Sequence, residues 1–148
     1  MADAFSVVSF EARKTLLNGE MNILPGVNRQ ILYIVLMRSD FNFNPATHRE
    51  YGDVTSFELP YGNGYRPGDT ELLNPVMNQN AVSGVVTVTF DPVQWTASGG
   101  DIGPTIGAVI YNFDSNNYPI LGFINFGEPW TQIDGGTLVI SGIRILIQ

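Results

Sequence analysis

A chain of 148 residues with 44% apolar residues suits one domain, long enough to bury about two-thirds of the surface its unfolded form exposes. Its net charge of −7, its single lysine at position 14 and its arginines scattered at 13, 29, 38, 49, 66 and 144 provide no cation cluster for phosphates, so nucleic acid is not an expected partner. The lack of cysteine excludes disulfides, thiolate nucleophiles and thiolate zinc sites, and fits a reducing compartment.

Charged residues make up only 14% of the chain, against about 25% in ordinary soluble proteins. A surface partly covered by partners gives such a count, and so does a large uncharged polar surface; composition leaves both open. The start, Met-Ala-Asp-Ala-Phe, lacks the basic and apolar regions of a secretory signal. The longest apolar run, 31–37, falls far short of the roughly 18 residues that span a bilayer. No membrane partner is expected.

In chain order, residues 9–18 (SFEARKTLLN) carry the helical pattern. Ser9 is placed to cap it, Glu11 lies in its first turn, and Gly19 follows as a terminator. Phe10 and Leu17 lie two turns apart with Ala12 and Leu16 beside them in a short apolar stripe, and a helix this short is expected to dock on its own domain or on a neighbour. Residues 30–38 form a continuous, β-branched run expected of a strand buried on both faces. Residues 85–90 alternate, with Val86, Val88 and Phe90 on one face and Thr87 and Thr89 on the other. The runs at 106–111 and 120–126 read as a hairpin around the polar turn 114–117 and Pro119. Residues 137–141 and 143–147 read as one edge strand bent or bulged at Gly142.

Residues 39–84 differ. Phe41, Phe43, His48, Tyr51, Phe57, Tyr61 and Tyr65 sit among turn-formers such as Asn44-Pro45, Gly62-Asn63-Gly64 and Arg66-Pro67-Gly68. A loop-rich stretch this long is usually functional or disordered, and its aromatic content argues against disorder. One short strand at 53–59 is expected within an excursion folded over the sheet or laid against a neighbouring subunit. No linker, charge block or repeat divides the chain. The expected fold is an all-β, antiparallel sandwich or jelly-roll-like single domain spanning 1–148, with an N-terminal arm and short helix at 1–20.

Candidate chemistry is sparse. The single histidine, His48, has Glu50 and Asp53 nearby, but the chain contains no G-x-S-x-G element, so a loop role is preferred to that of a base. The stretch starting at Asp114 opens like a calcium loop, yet Pro119 and Asn125 stand where Gly and Glu belong. It reads as a turn, with a hard cation at Asp101 or Asp114 as the remaining option. Gly62-Asn63-Gly64 and Gly99-Gly100 precede no helix and read as turns, not phosphate cradles. Trp95 is assigned to packing. Trp130, following Glu-Pro in an expected turn, is left open between packing and stacking on a ligand, as is Tyr118. Neither enzymatic activity nor a cofactor is expected.

The ordered segments resemble a family of small tailed-bacteriophage virion proteins. The resemblance covers residue 16 to the C-terminus: Leu-Leu-Asn-Gly-Glu-Met-Asn-Ile-Leu at 16–24, the strand 31–37, Thr-His-Arg-Glu-Tyr-Gly-Asp-Val at 47–54 and Gly-Asn-Gly-Tyr-Arg-Pro-Gly at 62–68. Phe-Asp-Pro-Val-Gln-Trp at 90–95 follows, then Gly-Ala-Val-Ile-Tyr at 107–111, Pro-Ile-Leu-Gly-Phe-Ile-Asn-Phe-Gly at 119–127, Gly-Gly-Thr-Leu-Val-Ile at 135–140 and Gly-Ile-Arg-Ile at 142–145. Members are capsid decoration (cement) proteins or unassigned virion components. The resemblance implies an all-β fold, self-association as homotrimers, and docking on the major capsid protein at the virion exterior after synthesis in the bacterial cytoplasm. Two stretches depart from it: an extra Gly-Gly-Asp-Ile-Gly at 99–103 and the first nine residues. Expected contact residues are Phe5, Phe10 and Arg13 in the N-terminal segment and Phe41, Phe43, Tyr51, Tyr61 and Tyr65 in the excursion, because these are apolar groups on segments with no evident core. The competing expectation is a head fibre or tail-tip protein that binds a host glycan or receptor, with Trp130 and Tyr118 as stacking residues.

Overall fold

A computed structural model describes residues 5–24, 26 and 28–147, and the fold they form is all-β and sandwich-like with one short α-helix. In chain order it runs β1 (Phe5–Val8), α1 (Phe10–Leu17), β2 (Leu32–Arg38), β3 (Thr70–Glu71), β4 (Val76–Gln79), β5 (Val86–Thr89), β6 (Val93–Thr96), β7 (Ile102–Asn112), β8 (Ile120–Gln132), β9 (Thr137–Ile140) and β10 (Arg144–Ile147). Eight strands form one sheet in the order β3-β2-β7-β8-β1-β10-β5-β4, and β6 pairs with β9 in a second. Ladders are antiparallel except β1 with β10, where Phe5 lies opposite Arg144 and Ser6 opposite Ile145.

The large sheet carries an apolar core on each face. Leu32, Ile34 and Leu36 of β2 join Ala108 and Ile110 of β7, Val88 of β5 and Ile145 of β10 in a cluster closed by Val93, Trp95, Leu138 and Ile140 from the small sheet. The alternate residues Val35 and Met37, with Val109 and Tyr111, join a second cluster covered by Phe41 and Val54 of the excursion. This explains the unbroken apolar run of β2: side chains alternate between faces, and here both faces are buried.

Three register shifts interrupt the β7–β8 hairpin, the first of them between Ile102 and Thr105. Ile110 pairs with Gly122 but Tyr111 with Ile120, so Leu121 is an extra residue. It thereby enters the first cluster while Ile120 and Phe123 serve the second. Further along, Gly107 opposes Asn125 and Thr105 opposes Trp130, leaving Phe126 to Pro129 across from Ile106 alone. Pro129 is tolerated there because β1 pairs with β8 only at residues 122–124, so no ladder bond is asked of its nitrogen.

Three expectations need correction. Residues 137–147 are not one edge strand. Gly142, at φ +63°, turns the chain out of the small sheet, and β10 lies inside the large one between β1 and β5. Residues 53–59 are not a strand but follow two 3-10 turns at Tyr51–Asp53 and Thr55–Phe57, with only Glu58 bridging Met37. Asp53 selects the turn, its carboxylate accepting from the N–H groups of Arg49 and Glu50 at 3.0 Å each. Trp130 lies in β8 and not in a turn. Helix α1, expected to dock on its own domain or on a neighbour, meets its own domain through residues other than Phe10 and Leu17. It buries Ala12 and Thr15, and leaves Phe10 55% and Leu17 90% exposed.

Candidate contact surfaces

Helix α1 is held by polar anchors at its start. The Ser9 N–H donates to Leu121 O at 2.7 Å, its hydroxyl donates to Ile120 O and accepts from the Ala12 N–H at 3.0 Å. One side chain thus caps the helix and fixes it to β8. With Ala12 turned inward, the residues at i, i+3 and i+7 from Phe10 share the opposite face: Phe10, Arg13 and Leu17, all exposed. The Arg13 guanidinium lies 5.8 Å from the Phe10 ring centre. Of the N-terminal candidates, Phe10 and Arg13 are therefore at the surface, while the Phe5 side chain lies outside the described residues.

The excursion is packed against its own sheet. Phe41 is buried among Phe57, Phe123 and His48, and Tyr65 is buried beside Trp95. Both are thereby removed from the set of contact residues: their rings are covered by the chain itself. Phe43 and Tyr51 are half-buried against the same second core. Tyr61 alone among the excursion candidates is open, at 72% exposure, with the Arg66 guanidinium 5.9 Å from its ring centre.

Glu58, which sequence patterning did not single out, is the polar hub of this region. Its carboxylate accepts from the Tyr51 hydroxyl, from the Tyr65 hydroxyl at 2.8 Å and from the Gly68 N–H at 3.1 Å. The Tyr65 oxygen in turn accepts from the Leu36 N–H at 2.8 Å, and Leu59 N–H donates to Leu36 O at 2.9 Å. Beyond the end of β3, these groups satisfy the open side of β2. Burial pushes the Glu58 carboxyl above its usual range, against the three hydrogen bonds that favour its ionised form. Burial likewise raises the Tyr51, Tyr65 and Tyr111 phenols, and the Glu58 charge adds to this. The only flanking signal was Phe57-Glu-Leu59, an acid between two apolar residues.

At the β7–β8 hairpin tip, Asn117 and Tyr118 both have positive φ, 64° and 49°. That conformation is costly for tyrosine. It brings the Tyr118 ring onto Phe113, with centroids 5.7 Å apart and planes within 10°, and Phe113 stacks on Tyr33 at 4.5 Å and 9°. Tyr118 is 45% and Phe113 40% exposed. Trp130, 43% exposed, is on the distal half of β8, so the two proposed stacking residues belong to different parts of the molecule. The turn is closed by Asp114, whose carboxylate accepts from the Ile31 N–H at 2.7 Å. The Asp101 carboxylate accepts from the Asp134 N–H at 2.8 Å. Among the described residues no group of three or more His, Asp or Glu side chains is placed to hold a metal ion.

His48 serves its loop: Nδ1 accepts from the Asn44 N–H at 2.9 Å, which assigns the ring proton to Nε2, and the ring stacks on Phe41. A cleft of about 140 Å³ lies between Leu59–Tyr65 and 101–103, below the roughly 300–1,000 Å³ of small-molecule sites, and a depression of about 400 Å³ lined by Ala46, Thr47, Arg49, Glu50 and Asp53 lies beside His48. No described helix is long and apolar enough to cross a membrane. Comparison with protein-family models, curated proteins and solved structures gives no match to this chain.

Proposed function

We propose that this chain is a capsid decoration (cement) protein of a tailed bacteriophage, which binds the outer surface of the major capsid lattice as an oligomer and reinforces the head. The observation that carries the reading is the outward face of α1. The helix is fixed by Ser9, Ala12 and Thr15, so Phe10 and Leu17 are free of any packing duty and spend apolar area on solvent. Apolar side chains grouped on a fixed element mark a contact surface. The ordered segments from residue 16 onward supply the choice of family. Weak contacts of this kind gain strength when many copies engage one symmetric lattice, and a net charge of −7 suits the exterior of a DNA-filled shell.

The test is the copy number per purified particle, measured by quantitative mass spectrometry against the major capsid protein. Hundreds of copies at a fixed ratio to the capsid subunit are expected, with occupancy lost in a Phe10→Ala, Leu17→Ala variant. A dozen copies or fewer would overturn the reading.

A second reading, a head fibre or tail-tip protein binding a host glycan, is favoured by the Tyr33–Phe113–Tyr118 stack. It combines exposed rings with a strained tyrosine backbone, a combination that marks functional positions. A glycan array probed with the chain and with its Tyr118→Ala variant tests it; no binding above background would remove it.

A further inference from the structure

Strand β4 is the open end of the eight-stranded sheet. Its counterpart at the other end, β3, is two residues long, carries an ion pair from Glu71 to Arg29 and receives the Trp95 indole N–H on Thr70. Those features blunt an edge. On β4 they are missing. All four of its residues are exposed, Val76 at 60% and Met77 at 49%, with Leu73 and Val82 exposed on either side. No charged residue occurs between positions 72 and 90 in a chain of net charge −7.

The outward backbone groups can be assigned. Asn80 N–H donates to Val85 O, and Phe90 N–H donates to Ile143 O on the far side of β5. Asn80 and Val85 are thus a hydrogen-bonded pair, and alternation along the ladder makes Asn78 with Thr87 and Val76 with Thr89 hydrogen-bonded pairs too. The N–H and C=O groups of Met77 and Gln79 therefore point away from the sheet.

We propose that β4 pairs with β4 of a second copy of this chain, antiparallel about a twofold axis at Asn78. Met77 of each copy then lies opposite Gln79 of the other, in two hydrogen-bonded pairs that exchange four backbone bonds. Asn78 faces Asn78 across the axis in the close, non-hydrogen-bonded position. The symmetry of the outward groups selects the occupant: the N–H and C=O of Met77 and Gln79, placed evenly about Asn78, are complementary to the same groups of a second copy, and no side-chain charge on this edge opposes the approach of two copies that each carry −7. A four-residue contact is far smaller than the roughly 1,200 Å² of a stable interface, so the association is weak and concentration-dependent. It concerns a different surface from α1 and stands apart from the decoration reading.

Sedimentation velocity of the full chain over a concentration series tests it, with thermal unfolding checking that each variant folds. Wild type is expected to pass from monomer to dimer. Asn78→Lys and Asn78→Asp each place like charges across the axis and should weaken association by about tenfold or more; an equimolar mixture of the two should restore it. Gln79→Pro removes an outward N–H that the chain's own ladder does not use, and should also dissociate the dimer. A wild type that stays monomeric throughout, or one that associates equally well with Lys at position 78, would overturn the proposal. A trimer indifferent to position 78 would do so while leaving the decoration reading in place.

Discussion

At Glu58 a carboxylate is buried between two phenols and a backbone amide, and removing it leaves all three donors without their acceptor. Each unsatisfied buried donor costs about 1–3 kcal/mol, so Glu58→Ala is expected to lower unfolding stability by about 3 kcal/mol or more in urea titrations. The pH dependence follows from the direction of the shift. The folded carboxyl is held above its unfolded value, so the folded state takes up its proton first as pH falls. This group's contribution is therefore most favourable below the unfolded value, and is lost as pH rises through the raised one. The difference in urea midpoint between wild type and Glu58→Gln should accordingly shift in favour of wild type as the solution is taken from neutral down into the ordinary carboxylate range. A difference independent of pH would mean that Glu58 does not titrate within the fold. The raised phenols act at the other end: Tyr51 and Tyr65 stay protonated when folded, so stability falls as pH rises above the ordinary tyrosine value of about 10. Gly107 is constrained by space and not by charge. A Cβ there would lie 2.1 Å from Ile124 O and 2.6 Å from the Phe123 ring, and the carbonyl oxygen belongs to a backbone that the sheet holds in place. Gly107→Ala is expected to cost about 3 kcal/mol or more by overpacking, read from the denaturant midpoint.

Among the elements, α1 separates anchoring from display. Ser9→Ala removes the cap and leaves the buried Ile120 carbonyl without its hydroxyl donor, so a loss of about 2–3 kcal/mol is expected. Phe10→Ala and Leu17→Ala should each stay within about 0.5 kcal/mol, because neither ring nor branch is packed. Thermal unfolding of the three variants checks this contrast, and a large loss at Leu17 would return the stripe to the core. The helix's limits were readable from Ser9 and Gly19, since capping is local chemistry written in neighbouring residues. Its buried face was not, because the long-range anchors of Ser9 to Ile120 and Leu121, rather than hydrophobicity, decide which side turns inward. The strands repeat this division. β2, β5 and the β7–β8 hairpin follow from runs and alternation, whereas the path of β8 past Asn125 depends on a wide bulge that no local pattern announces. Gly142 looked like a kink in one strand. It is the corner between two sheets, and the difference lies in which partner each half finds.

For the molecule as a whole, the excursion was legible as ordered but not as core. Aromatic density at Phe41, Phe43, Phe57 and Tyr65 is compatible with covering one's own sheet or a neighbour's, and only the arrangement of β2 and β7 beneath it distinguishes these. Of the expected contact residues, that leaves Phe10, Arg13 and Tyr61 displayed, with Tyr118 and Trp130 on separate tips. The edge at β4 escaped notice because an unpaired strand is a property of the completed sheet order, not of the sequence Val-Met-Asn-Gln. The long-range field acts on any association through these surfaces. Two copies at −7 each repel over distances comparable to the Debye length, about 10 Å at 0.1 M salt and about 3 Å at 1 M. The β4 contact itself contains no charge to be screened, so added salt removes repulsion without weakening attraction. Self-association is therefore expected to tighten as sodium chloride rises from low to near-molar concentration, seen as a larger weight-average sedimentation coefficient at fixed protein concentration. An interface built on Arg13 or Arg66 with acidic partners would respond in the opposite sense, since screening weakens exposed ion pairs. The sign of the salt effect thus separates pairing at the uncharged edge from contacts at the basic residues of α1 and the Tyr61 loop.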